Sequence, residues 1–190
     1  MPPRGPGGTV PRGGPIPGQF VLREAAPRDA RSVAELHVWA SREASRSVAA
    51  ADAVEAPSVD ERESRWNEHL ALPPGDDHFV LVAEEHGTGD VAGFVAGGGS
   101  RDPDGKGDGE IYALYVDPGR WRHGVGRLLL TGALAALADA SFASATLWIP
   151  EADVAARAFC EALGWAEDGR CRTAEFGASG LVETRYRRRL

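Results

Sequence analysis

Apolar positions change their spacing several times along the chain, and each change marks an element. QFVLRE, from Gln19, reads as a short strand. Pro27 then stands where a first helical residue belongs, with Asp29 in the first turn to complement the helix dipole. Val33, Leu36, His37 and Ala40 follow at helical spacing and predict a helix that ends near Arg42. His37 falls in that apolar stripe and reads as a satisfied core histidine. An Ala-rich stretch leads to Pro57, after which Ser58 and Glu61 form a capping-box pattern. Val59, Glu63, Trp66 and Leu70 share one side of this second helix, which stops before Pro73 and Pro74.

HFVLVAEE and VAGFVAGGG are β-rich runs on either side of the turn-forming HGTGD and predict a hairpin. The polar loop SRDPDGKGDG leads into the strand GEIYALYV, which ends at Asp117-Pro118 because proline cannot continue a ladder. A long helix begins near Gly124 to Gly126 and runs to about Asp139, with a wide apolar side that includes Leu129, Leu130 and Leu137. ATLWI reads as a buried strand. Asp153 can cap a helix from Val154 to Leu163, and Gly164 is placed to close it in the left-handed conformation. CRTAEF and LVETRYRR, joined by GASG, predict a closing hairpin. The order β-α-α-β-β-β-α-β-α-β-β is a mixed α/β (α+β) pattern that needs one sheet with helices on both faces.

Composition changes this picture only at its edges. Of 190 residues, 43% are hydrophobic and 26% charged, which suits one compact domain. Residues 1–18 hold six Pro and six Gly and are expected to form a disordered tail, leaving 19–190 as the folded domain. No run approaches the roughly 18 to 20 apolar residues of a membrane span, and the N-terminus has no apolar signal region, so a cytoplasmic protein without membrane attachment is expected. Cys160 and Cys171 belong to no CxxC pair, which argues against a disulfide scaffold and a structural metal. A formal charge of -7 argues against a broad nucleic-acid-binding face. Arg4 and Arg12 make the tail cationic, so the folded part is more acidic still.

The most informative stretch is Leu114 to Leu130, LYVDPGRWRHGVGRLLL. A strand ends, Pro118 and Gly119 redirect the chain, and Gly124 and Gly126 precede a long apolar helix. Free N–H groups in the first turn of such a helix, with the positive end of the dipole behind them, bind phosphate or pyrophosphate. Arg120, Arg122, His123 and Arg127 crowd the same turn. Taken alone, Gly-Val-Gly is also compatible with an ordinary strand-to-helix turn. The other phosphate motifs fail: a Rossmann fingerprint needs Gly where Leu129 stands, and a P-loop needs Ser or Thr after its Lys, where Gly107 follows Lys106.

The six residues Trp121-Arg122-His123-Gly124-Val125-Gly126 resemble the Gln/Arg-x-x-Gly-x-Gly/Ala motif of the GNAT N-acetyltransferase family, with Trp121 departing at the first position. A second block, LWIPEADVAARAFCEALGW, is similar to the family's LWV-x-x-x-N-x-x-A-R-x-F-Y-E-x-x-G-F. The resemblance spans about Phe20 to Leu190. It implies the GNAT fold, a central mixed and mostly antiparallel sheet of about seven strands with helices on both faces. It also implies acetyl-CoA as co-substrate and no metal. The amides around His123, Gly124, Val125, Gly126 and Arg127, with Arg122, would cradle the pyrophosphate. Leu114, Tyr115 and Val116 would bond the pantetheine arm, and one N–H there would polarise the thioester carbonyl. Asp153 stands where the family has Asn and could reach the same arm, besides capping its helix.

The family's strand is bulged away from its neighbour to open a cleft, although no separate motif here demonstrates the bulge. Strand alternation puts Glu110, Tyr112, Leu114 and Val116 on one face, with Glu110 a candidate base and Tyr112 a second polar candidate. Cys160 replaces the family's acid Tyr after Phe159, so a thiol or water would protonate the leaving group; a buried helical Cys is also simple packing. Acceptor residues are expected from the first two helices and the last hairpin: Trp39, Arg42, Trp66, His69, Glu175 and Glu183. The function expected is acetyl transfer to a primary amine of a small molecule by direct attack in a ternary complex. The alternatives are a catalytically weak acyl-CoA sensor and a protein or peptide N-acetyltransferase. A homodimer stays open.

Overall fold

The computed structural model describes residues 18–47, 58–71, 78–176 and 179–190. The expected tail, apart from Gly18, lies outside these residues, as do the Ala-rich stretch after Ser47, Pro73 and Pro74, and the middle of the last turn.

The chain runs β1 Phe20–Glu24, α1 Ala30–Ser47, α2 Val59–Leu70, β2 His78–Glu85, β3 Val91–Gly99, β4 Gly109–Val116, α3 Val125–Asp139, β5 Ser144–Pro150, α4 Val154–Glu161, β6 Ala166–Phe176 and β7 Ser179–Arg189. Local signals explain most boundaries. Ser58 Oγ accepts the amide of Glu61 while Glu61 Oε2 accepts the amide of Ser58, so both halves of the capping box form. Asp153 Oδ1 accepts the amide of Ala156 and starts α4. Gly164 closes that helix at φ +81°, and the Trp165 amide reaches back to the Cys160 carbonyl. Several boundaries differ from the sequence reading: α4 ends at Glu161 rather than Leu163, and β6 begins at Ala166, five residues before Cys171. Pro27 opens a short 3-10 turn, Pro27–Asp29, rather than α1 itself. Nothing in SREASRS breaks a helix, so α1 continues past Arg42 to Ser47.

All seven strands join one sheet in the order β1-β2-β3-β4-β5-β7-β6. Every neighbouring pair is antiparallel except β4 and β5. The sheet is covered on both sides, which is why β2 and β3 read as continuous apolar runs rather than alternating ones. On one face α3 and α4 build a core from Leu129, Leu130, Ala133, Leu137, Cys160 and Trp165 over Ile111, Leu147 and Tyr186. On the other, Val33 of α1 and Trp66 of α2 cover Val80, Val82, Phe94 and Ala96.

The loop between β3 and β4 is tied to the last strands by charge. Arg185, 3% exposed, reaches Asp102 at 3.0 Å, Asp104 at 2.9 Å and Asp168 at 2.7 Å. The Trp148 indole N–H also donates to Asp102, at 3.1 Å. A buried guanidinium is tolerated only with partners of this quality. The network clamps the start of β4 to β5 and β7, and that clamp determines where the sheet can open.

Candidate active site

Strands β4 and β5 pair over three residues only: Gly109, Glu110 and Ile111 lie opposite Ala145, Thr146 and Leu147. Beyond that point β5 continues beside β7 while β4 runs on to Val116 with no strand on its β5 side. The sheet therefore splits into a V whose closed end is the clamped loop and whose open end points toward α3.

The split is driven from the other flank of β4. Against β3, Ala96 faces Ala113 but Gly97 faces Ile111, so Tyr112 is an extra residue and β4 is bulged there. A bulge bends its strand and increases the local twist. Gly97 makes this possible, because a Cβ on it would stand 2.8 Å from the Glu110 carbonyl oxygen and 2.7 Å from Phe79 Cζ. The Tyr112 hydroxyl donates to the Gly99 carbonyl at 2.6 Å, and the Arg101 guanidinium lies 4.0 Å over its ring.

The bulge corrects the face assignment made from alternation. Ile111, Leu114 and Val116 pack toward α3, whereas Ala113 and Tyr115 pack toward α1 and α2. The alternation slips by one at Tyr112, so Glu110 does not share a face with Leu114 and Val116. Glu110 is 1% exposed and fully engaged: Oε1 accepts Arg101 Nη2 at 2.6 Å and Nε at 3.2 Å, and Oε2 accepts the Arg101 amide at 2.8 Å. This geometry makes Glu110 and Tyr112 anchors for the bulge at the closed end of the V, and the base reading of Glu110 is not carried forward.

At the open end the loop after β4 folds on itself. Asp117 Oδ1 accepts the Gly119 amide at 2.9 Å, the Trp121 indole donates to the Val116 carbonyl at 2.9 Å, and His123 Nδ1 lies 2.9 Å from the Trp121 carbonyl. Arg122 has φ +68° and Gly124 φ +88°, two left-handed steps that deliver the chain into α3. Gly124 is the N-cap residue and makes no side-chain cap hydrogen bond, so the N-cap leaves the first-turn amides of α3 without a side-chain acceptor. Gly126 has a packing role as well: its missing Cβ would lie 3.3 Å from Phe159 Cζ, which lets α4 approach the helix mouth. Arg122 and Arg127 are exposed and make no ion pair among the described residues. Arg120 instead binds Glu85, whose pKa is lowered by a hydrogen bond from Gln19 and then by the hydrogen bond and charge of Arg120.

The remaining candidates scatter. Cys160 is buried in the α3/α4 core, and burial, helped by Asp153 and Glu161, pushes its thiol up to about 12. Such a thiol is packing material and a poor proton donor at neutral pH. Asp153 uses one carboxylate oxygen as the α4 cap. Trp39 packs edge-on against Trp121 at 5.9 Å, joining α1 to the loop. Arg42 is exposed, and the Glu175 side chain lies outside the described residues. Trp66 packs on Phe94 at 5.4 Å, with His69 edge-on to it at 5.6 Å. Glu183 accepts Arg172 Nε at 2.7 Å and stands opposite Pro150 on β5.

Two residues that the sequence reading did not select stand beside this group. His37 is not a satisfied core histidine: its buried Nδ1 has no hydrogen-bond partner. Arg62 of α2 likewise has a buried, unpartnered Nε. The available signal was helical spacing, since Arg62 lies one turn before Trp66 on the covered side of α2.

A strand split beside an uncapped, glycine-flanked helix mouth is the arrangement of an acyl-CoA site, and comparisons with known proteins agree with it. A sequence model of the acetyltransferase (GNAT) family matches residues 45–165. The chain is 30% identical over 130 residues to an uncharacterized N-acetyltransferase of Bacillus subtilis, YuaI, covering 68% of this chain and 71% of that one. Among solved structures, a GCN5-related N-acetyltransferase from Kribbella flavida aligns with TM-score 0.69 at 18% identity, over 92% of this chain and 100% of the other. An acetyltransferase from Salmonella typhimurium, solved with its cofactor acetyl-CoA, aligns with TM-score 0.66 at 22% identity, over 91% and 95%. The chain belongs to the GNAT family. It is an acetyltransferase that uses acetyl-CoA. No helix among the described residues is long and apolar enough to cross a membrane.

Proposed function

We propose that the protein transfers acetyl from acetyl-CoA to a primary amine of a small molecule, by direct attack in a ternary complex. The observation that carries this reading is the run Ala113 to Val116, which has no strand on its β5 side and leads straight into the uncapped mouth of α3. The first-turn amides of Val125, Gly126 and Arg127 would hold the diphosphate, with Arg122 and Arg127 adding positive charge and His123 shaping the loop. The free edge of Leu114, Tyr115 and Val116 would hold the pantetheine arm as an added strand does. One amide there would polarise the thioester carbonyl. Acetyl-CoA supplies the activated acyl group and a thiolate leaving group.

The amine must reach the thioester neutral. With Glu110 held by Arg101 and the Cys160 thiol buried, water accepts the amine proton and water protonates the departing thiolate. Catalysis then rests mainly on positioning and carbonyl polarisation. The acceptor approaches between α1, α2 and the far wall of the V, where His37, Trp66 and Tyr115 form a compact aromatic surface suited to a small ligand.

The test is release of free thiol from acetyl-CoA across a panel of small primary amines, with a lysine peptide as a separate arm. Turnover on one or more small amines, well above hydrolysis, supports the reading. Turnover on the peptide alone, or acetyl-CoA binding with no release on any amine, refutes it.

A further inference from the structure

The acceptor wall holds an unspent cation. Arg62 is half-buried on α2, and its side chain makes no hydrogen bond or ion pair among the described residues. Its Nε is buried without a partner, and so is Nδ1 of His37 on the neighbouring helix. The two groups belong to one site, because Arg62 lies one helical turn before Trp66, whose ring packs against that of His37. The His37 ring lies 5.6 Å from Tyr115 and 6.0 Å from Trp66, so the site sits on the bulged half of β4, beside the split.

A buried N–H without an acceptor is costly to a fold, and a ligand that supplies the acceptor removes that cost. A permanently charged guanidinium N–H, with a neutral imidazole in the same site whose Nδ1 can carry its proton, is completed by an oxyanion. On the far arm Glu183 of β7 stands opposite Pro150, beyond the end of the β4–β5 pairing, and is ion-paired with Arg172. An acceptor amine that carries a carboxylate fits a cationic subsite placed beside the split.

We propose that Arg62 and His37 form a carboxylate-binding subsite, and that the acceptor is a small amine bearing a carboxylate, an amino acid or a close analogue of one. The proposal rests on the acetyltransferase reading above for its acceptor, and on unpartnered side chains for its subsite. Arg62 Nε–H donates to one carboxylate oxygen. The neutral His37 imidazole donates from Nδ1 to the other. The amine end then points toward Tyr115 and the open edge of β4.

Two measurements test this separately from turnover. In the first, matched amines that differ only by the carboxylate are compared as acceptors. The carboxylated member is expected to be preferred, and Arg62→Gln to raise its KM about 10- to 100-fold while leaving acetyl-CoA affinity by calorimetry unchanged. Equal use of both members, or an unchanged preference in the variant, overturns the proposal. In the second, the His37 imidazole signals are followed by NMR in the coenzyme A complex during titration with an N-acetyl amino acid and with its amide. A saturable shift with the acid only, lost in Arg62→Gln, supports the subsite even if no amine is turned over, in which case the acetyl-transfer reading alone fails. No shift, or equal shifts with acid and amide, overturns the subsite.

Discussion

The indole N–H of Trp121 donates to the carbonyl of Val116 at 2.9 Å, so the loop that presents the α3 amides is tied to the last residue of the strand it follows. Trp39 braces the same indole from α1 at 5.9 Å. Trp121→Phe keeps the ring and removes the donor, which is worth about 0.5–1.5 kcal/mol for a neutral hydrogen bond. KM for acetyl-CoA should rise about 2- to 10-fold with kcat and the unfolding midpoint little changed. Steady-state kinetics with varied acetyl-CoA checks this.

Gly126→Asp places a Cβ 3.3 Å from Phe159 Cζ and a negative charge at the helix mouth. An acid at a helix N-terminus favours the fold, so the protein should remain folded. The same charge repels a diphosphate, and acetyl-CoA affinity should fall by more than about tenfold. Unchanged affinity by calorimetry would remove the α3 amides from the site.

Gly97→Ala tests the bulge. The added methyl meets the Glu110 carbonyl at 2.8 Å and the Phe79 ring at 2.7 Å, and neither is free to withdraw. Overpacking of this kind costs about 1–3 kcal/mol. Denaturant unfolding should show that loss, and acetyl-CoA binding should weaken with it because the split depends on the bulge.

For Glu110, the contacts predict a stability defect rather than a change in chemistry. Glu110→Gln turns an amide donor toward either the backbone or the guanidinium N–H groups of Arg101, at a position that is itself 1% exposed. The loss should be about 1–3 kcal/mol in unfolding free energy, with the shape of the pH–rate profile preserved. A profile that loses its acidic limb in this variant would restore Glu110 as the base.

Cys160 and Cys171 should separate by reactivity. At pH 8, iodoacetamide should label the exposed Cys171 and spare Cys160, whose thiol burial raises to about 12. A thiol whose folded pKa is raised stabilises the fold fully below its unfolded value, about 8.5, and that contribution is lost as pH rises toward 12. The unfolding midpoint should therefore fall across that alkaline range, less steeply in Cys160→Ala. Cys160→Ala should also retain turnover, which a proton-donor role would not allow.

Much of the fold was legible because its signals are local. Ser58 with Glu61, Asp153 as a cap and Gly164 at positive φ each act within one helical turn, and the structure places each as the sequence implies. The Gly124 to Gly126 mouth was legible for the same reason. Glu110 and Tyr112 were misjudged because period-two alternation assumes an unbroken ladder, and the extra residue that breaks it is defined by the pairing partner β3. Arg62 and His37 were overlooked because an unsatisfied nitrogen is a property of surroundings drawn from several elements.

The sequence by itself determined the elements, their order, the apolar faces that must meet a sheet, and the family motif at the start of α3, since these depend on neighbours a few residues apart. Only the tertiary structure decided that β4 and β5 part after Ile111, which carboxylates are consumed by partners, and which cations among the described residues are left without one. Those outcomes depend on contacts between residues distant in the chain, where a single bulge moves a side chain from one face of the sheet to the other.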